Sequence, residues 1–156
     1  MTDQNPIGYH ARVTVRWSDM DAFAHINHAR MVTLLEEARI EWLLSSGVEP
    51  AERPSNSGDA NESLIKSALI ANVNISYKKP LRHSDSPLDI TLWFERVRSV
   101  DFTIGYEVRA AGAAADSPPA VLASTQMAMV DVGSETLRRI TPDEKEYLAR
   151  WTRQRP

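Results

Sequence analysis

The stretch WSDMDAFAHINHARMVTLLEEARIEWLL, residues 17–44, changes character at its middle. Its first half crowds Asp19, Asp21, His25, Asn27 and His28 into a turn-like segment. Its second half sets Met31, Leu34, Leu35, Ala38, Trp42 and Leu43 on one stripe at spacings of three and four, while Arg30, Glu37 and Glu41 fall away from it. This predicts a helix from about Asn27 to Ser46. Asn27 is a good N-cap, because its short amide can accept from the orphan N–H groups of the first turn. Gly47 is a natural stop. A helix with one apolar stripe must be covered on that side, so the fold depends on what the rest of the chain brings to it.

Upstream, ARVTVRW alternates, with Val13, Val15 and Trp17 on one face of a half-buried strand. Downstream, EPAERPSNSGDANE (residues 49–62) reads as a loop. Four strand-like runs follow. In LIANVNISYKK, Leu69, Ala71, Val73, Ile75 and Tyr77 share a face and Pro80 ends the run. LDITLWFERV carries Leu88, Ile90, Leu92 and Phe94, and DFTIGYEVRA carries Phe102, Ile104, Tyr106 and Val108. The last runs from Ala120 to Val132. RSVD is short enough to join its two strands as an antiparallel hairpin. TPDEKEYLARW reads as a closing helix over about 141–153, with Thr141 as cap, Pro142 at the first position and Glu144 completing a capping box. The order predicts one α+β domain over residues 1–156, with its core over about 10–132 and a loop over 48–66. An antiparallel sheet of about five strands covers one long helix, with a short helix at the end. Such an open sheet leaves edges that invite pairing between subunits.

The 156 residues suffice for one core, and the net charge of −3 gives no footprint for nucleic acid. The chain has no cysteine, which removes disulfides, thiolate catalysis and cysteine-bound zinc. MTDQNPIGYHARV lacks a basic start followed by an apolar core, so no signal peptide is expected, and no apolar run approaches the ~20 residues of a membrane helix. These features point to a cytoplasmic protein with no membrane partner.

Read singly, the polar residues before the helix have ordinary explanations. Asp19 and Asp21 can make turns, Asn27 can cap, and His25 and His28 can be surface histidines. Read together, they offer a carboxylate just before a helix N-terminus, whose free N–H groups and dipole favour an oxygen gaining negative charge. A carboxylate there can attack a carbonyl or take a proton from water, and a histidine four residues on can orient either. That chemistry suits acyl transfer to water. Metal binding fits less well, since no further ligand cluster stands elsewhere in the chain. The basic stretch YKKPLRH (77–83) is either a solvated strand end or a place where Lys78, Lys79 or Arg82 meets phosphates; Arg96 and Arg98 are further candidates.

VRWSDMDAFAHINHARMVTLLEEARIEWL resembles the signature of hotdog-fold acyl-CoA thioesterases of the 4-hydroxybenzoyl-CoA thioesterase type. NISYKKPLRHSD is similar to that family's second motif, with Tyr77, Pro80 and Asp85 in its places. The resemblance covers roughly residues 10–132. It implies a hotdog fold, a sheet wrapped around one long helix, and hydrolysis of an acyl-CoA without a metal or redox cofactor. By resemblance Asp21 is the catalytic carboxylate and the backbone N–H at His28 polarises the thioester carbonyl. His25 matches the catalytic histidine of plant acyl-carrier-protein thioesterases, and His25 and Asn27 orient the site. Lys78, Lys79 and Arg82 are the candidates for coenzyme A phosphates. The family's pocket usually forms between subunits, which implies a homodimer or a dimer of dimers. Several positions depart from the pattern. Ala24 replaces a glycine, His28 an asparagine and Met31 a tyrosine, and Phe23 stands where the plant enzymes have asparagine. The rival readings are an acyl-carrier-protein thioesterase, a hotdog module that binds acyl-CoA without cleaving it, and an acyl-thioester hydratase or dehydratase.

Overall fold

The computed structural model describes residues 8–45, 64 and 66–153. The long helix, α1 (His28–Ser45), begins one residue after its expected cap, and Asn27 Oδ1 accepts from the Ala29 N–H at 2.9 Å. Its end near Gly47 and the 49–62 loop lie outside the described residues. All six stripe residues are buried. Each large one contributes ~1.5–3 kcal/mol by leaving water.

The stripe packs on an antiparallel sheet built from β1 (Tyr9–Val13), β2 (Ala68–Tyr77), β3 (Leu88–Val97), β4 (Asp101–Arg109) and β5 (Val121–Asp131). The strand order is β1-β3-β4-β5-β2. The inward sets predicted from alternation, Leu88, Ile90, Leu92 and Phe94 on β3 and Phe102, Ile104, Tyr106 and Val108 on β4, are all buried. Trp42 stacks on Phe94 with ring centroids 4.6 Å apart, which fastens the last turns of α1 to the sheet. The RSVD hairpin forms as expected, with the Arg98 guanidinium on the Asp101 carboxylate at 2.7 Å. α2 (Pro142–Arg150) also forms as expected, and Glu144 both caps the Thr141 N–H and pairs with Arg138. Among the described residues no helix is long and apolar enough to cross a membrane.

Four features differ from the sequence reading. β1 stops at Val13, and Trp17 turns outward to 79% exposed in a 3-10 turn, Trp17–Asp19, instead of ending the strand on its buried face. β2 carries a bulge between Ile70 and Asn72, so Leu69 no longer shares a phase with Val73 and Ile75. It is an edge strand, and Leu69, Ile70 and Tyr77 stay exposed. A two-residue strand, β6 (Thr136–Leu137), pairs with β5 and has no counterpart in the sequence reading. Arg39 lies buried beside the apolar stripe, its guanidinium bonded to the Tyr106 hydroxyl at 3.3 Å and to Glu36 at 3.4 Å. Its long stem follows the core while its head reaches a carboxylate at the helix surface.

On the sheet's other face Trp93 lies flat across Gly105. A Cβ at residue 105 would sit 2.6 Å from the Trp93 ring, so only glycine fits beneath the indole.

Candidate functional site

The loop before α1 is a small, tightly bonded hairpin. Met20 bridges Ile26, the Asp21 N–H donates to the His25 carbonyl at 2.8 Å, and the Ala24 N–H donates to the Asp21 carbonyl at 3.1 Å. Closing so few residues requires one left-handed position, and Ala24 supplies it at φ +60°. The glycine of the family pattern has a physical reason here, and alanine accepts the strain. Asp21 Oδ1 accepts from the Phe23 N–H at 2.8 Å and the His25 N–H at 3.2 Å, which fixes the side chain over its own turn. The outer ends of the loop are held by Asp19. Its carboxylate accepts from the Arg16 N–H and its carbonyl accepts from the Asn27 N–H, both at 2.8 Å. Asp19 is therefore turn chemistry, and it is buried.

The segment after β2 closes the other wall. The Ile26 N–H donates to the Leu81 carbonyl at 2.7 Å, and the Tyr77 hydroxyl donates to the His28 carbonyl at 2.9 Å. Burial at this wall pushes the Tyr77 phenol above its ordinary pKa. Between the walls lies a pocket of about 310 Å³ lined by Asp21, His25, His28, Met31, Tyr77 and Lys78, with Lys79 and Leu81 beside them.

The structure thus brings together Asp21, His25, His28, Lys78 and Lys79. Asn27 is half-buried behind them as the cap, and Arg82 lies outside the pocket lining. His25 holds the Asp21 carboxylate through its backbone N–H, and among the described residues its ring makes no hydrogen bond. Met31 is buried and gives the pocket an apolar floor. Tyr77 was read only as a motif position and a strand residue. Its bond to the first turn of α1 spans 49 positions, a link no local pattern reports. A larger hollow of about 480 Å³ lies on the sheet's outer face around Trp93, Glu95 and Arg153. It has no carboxylate at a helix end, so chemistry favours the smaller pocket.

This geometry places a carboxylate, an imidazole and a helix N-terminus around one cavity, which is an arrangement for attack on a polarised carbonyl. The sequence profile of the thioesterase-like superfamily matches residues 15–151. The chain belongs to the thioesterase-like superfamily. It is a thioester hydrolase by that membership. Solved thioesterase structures share its fold. YbaW of Escherichia coli, described as a probable thioesterase, superposes with a TM-score of 0.71 at 20% identity, over 92% of this chain and 98% of that one. A thioesterase from Thermus thermophilus, solved with coenzyme A and zinc, gives 0.66 at 17% identity, over 89% and 90%. A candidate acyl-CoA thioesterase from Xanthomonas campestris gives 0.60 at 27% identity, over 80% and 93%. Among curated proteins no sequence matches. Asp21 and α1 of this thioesterase fall within the matched residues, so the candidate pocket lies inside the family's own domain.

Proposed function

We propose that this thioesterase hydrolyses an acyl-CoA to the free carboxylic acid and coenzyme A, as the 4-hydroxybenzoyl-CoA type that it resembles does. The observation that carries the reading is the state of Asp21. Its Oδ1 is occupied by two backbone N–H groups, while Oδ2 has no hydrogen-bond partner among the described residues. That oxygen takes a proton from water or attacks the thioester carbon itself. The thioester oxygen rests on the first turn of α1. Asn27 occupies the Ala29 N–H there and leaves that of His28 for the oxyanion. His25 and Asn27 orient the site, and the thiolate departs as the acyl group is captured. The scheme calls for no metal or redox group. Lys78 and Lys79 at the pocket, with Arg82 beyond it, meet the phosphates of the carrier.

A second copy of the chain is the proposed partner, as a homodimer or a dimer of dimers, in the cytoplasm. β2 is a sheet edge that leaves Leu69 and Ile70 exposed, and it ends at the pocket residue Tyr77, next to Lys78. Pairing along that edge covers the apolar residues and brings the two pockets to the subunit boundary.

The test is a thiol-release screen over short, long and aromatic acyl-CoAs, with Asp21→Asn as control. Release by the wild type and its loss in the variant support the assignment. Tight acyl-CoA binding with no thiol released by either protein points to a binding module and removes it.

A further inference from the structure

Two tetrapeptides of the chain share a pattern, RWSD at 16–19 and RHSD at 82–85. Both fold into the same 3-10 turn. In each, the aspartate accepts from the backbone N–H of its arginine at 2.8 Å, from Arg16 to Asp19 and from Arg82 to Asp85. The turns are tied together by the Val15 N–H, which donates to Ser86 Oγ at 2.9 Å. Their two aromatic residues meet edge to face, with the Trp17 and His83 centroids 5.8 Å apart and the planes at 72°.

The result is an indole held in place yet open to water. Val13 and Val15, four and two residues earlier, are buried, whereas Trp17 is 79% exposed. Its exposure is the work of a capped turn rather than of a loose loop. Arg12, Arg16, Arg39, Arg98, Arg109, Arg138, Arg150 and Arg153 each pair with a carboxylate. Lys78, Lys79 and Arg82 make no ion pair among the described residues. Three unpaired cations therefore run along one segment, from the Asp21 pocket to the residue next to His83. That segment spans at most ~17 Å when extended. Its far end is an exposed aromatic face with positive charge beside it, which fits a planar purine base carrying phosphates.

We propose that Trp17, backed by His83, is the platform on which the adenine ring of coenzyme A stacks, with Arg82 on the neighbouring phosphates. The proposal rests on the reading that the carrier is coenzyme A. Trp17 packs little in the fold, so its replacement leaves the structure intact. It acts only on the nucleotide, so substrates without a nucleotide do not feel it.

The experiment compares wild type, Trp17→Leu and Trp17→Phe in two arms. Titration calorimetry with coenzyme A itself reads binding without any turnover. Kinetics on one acyl group, carried by coenzyme A and then by pantetheine, read the nucleotide's share. Trp17→Leu is expected to weaken coenzyme A binding and raise KM for the acyl-CoA about tenfold, the scale of one base on an aromatic face. Its kcat and its kinetics on acyl-pantetheine stay unchanged, and Trp17→Phe keeps most of the affinity. Unchanged coenzyme A binding in Trp17→Leu overturns the proposal. So does an equal KM rise on both substrates, or a loss confined to acylated carrier protein, which would assign the surface to a protein. A wild type that binds coenzyme A through Trp17 but releases no thiol keeps the platform and refutes the hydrolase scheme instead.

Discussion

Asp21 holds a turn in this structure and is proposed to act on the thioester, and two substitutions separate these roles. Its Oδ1 holds the turn by accepting from the Phe23 and His25 N–H groups at 2.8 and 3.2 Å. The carboxylate as a whole is proposed to supply the base or nucleophile. In Asp21→Asn the amide oxygen can accept the same two bonds, so stability should change by less than ~1 kcal/mol. In Asp21→Ala both bonds are lost. At a net ~0.5–1.5 kcal/mol each, reduced by water at a half-exposed turn, the loss is about 1–2 kcal/mol. For a domain of this size that lowers the thermal midpoint by about 4 °C. Turnover should respond differently, falling at least ~100-fold in both variants because neither side chain can take a proton or form an acyl intermediate. The assays are release of free thiol from a good acyl-CoA and calorimetric unfolding of the same preparations. A folded Asp21→Asn protein that keeps more than about a tenth of wild-type turnover refutes the catalytic role. Equal destabilisation by Asn and Ala refutes the turn argument.

Three further outcomes are expected. Ala24→Gly relieves ~1–2 kcal/mol of left-handed strain at φ +60° and gives back ~0.5–1 in chain entropy, so the unfolding free energy read by denaturant should rise by about 0.5–1 kcal/mol; a fall would show the turn relaxes in solution. Tyr77→Phe frees the His28 carbonyl and loosens the helix N-terminus. It should lower kcat about tenfold with KM unchanged, less than the roughly 10²–10³ of losing an oxyanion donor outright, and a change in KM alone would argue for a binding role. Burial pushes the Tyr147 phenol above its ordinary value, and its hydroxyl has no partner among the described residues. The folded protein holds this proton more tightly than the unfolded chain, so the associated stability is complete below about pH 10 and is lost as the pH rises further. Tyr147→Phe should add about 1 kcal/mol at neutral pH and flatten that alkaline loss, as read by unfolding at pH 7 and above pH 10.

Much of the architecture was legible because it rests on short-range rules. The stripe of α1, the alternation of β3 and β4, the RSVD hairpin and the Thr141 cap each depend on residues within a few positions of one another. Asn27 was legible as a cap for the same reason, and so was Asp19 as turn chemistry. Trp17 was misread because alternation reports a strand's faces and not where the strand ends. A carboxylate three residues from Arg16 drew the backbone into a turn instead. Arg39 was missed because its stem packs like an apolar residue and its guanidinium, paired with Glu36, also reaches the Tyr106 hydroxyl, 67 positions away. On β2 one bulge shifted the phase of every residue before it, an event the apolar pattern does not record.

The sequence by itself thus determined the elements, the caps and the crowding of polar groups before α1, since each follows from local periodicity and local hydrogen bonding. Only the tertiary structure decided how those groups are used. It committed one Asp21 oxygen to the turn and left the other open, tied Tyr77 to the helix end, and lined up Lys78 and Lys79 beside the same pocket. It also set Trp17 against His83 across 66 positions of chain. These contacts join segments far apart in sequence, and their geometry comes from the sheet's strand order and the burial of α1.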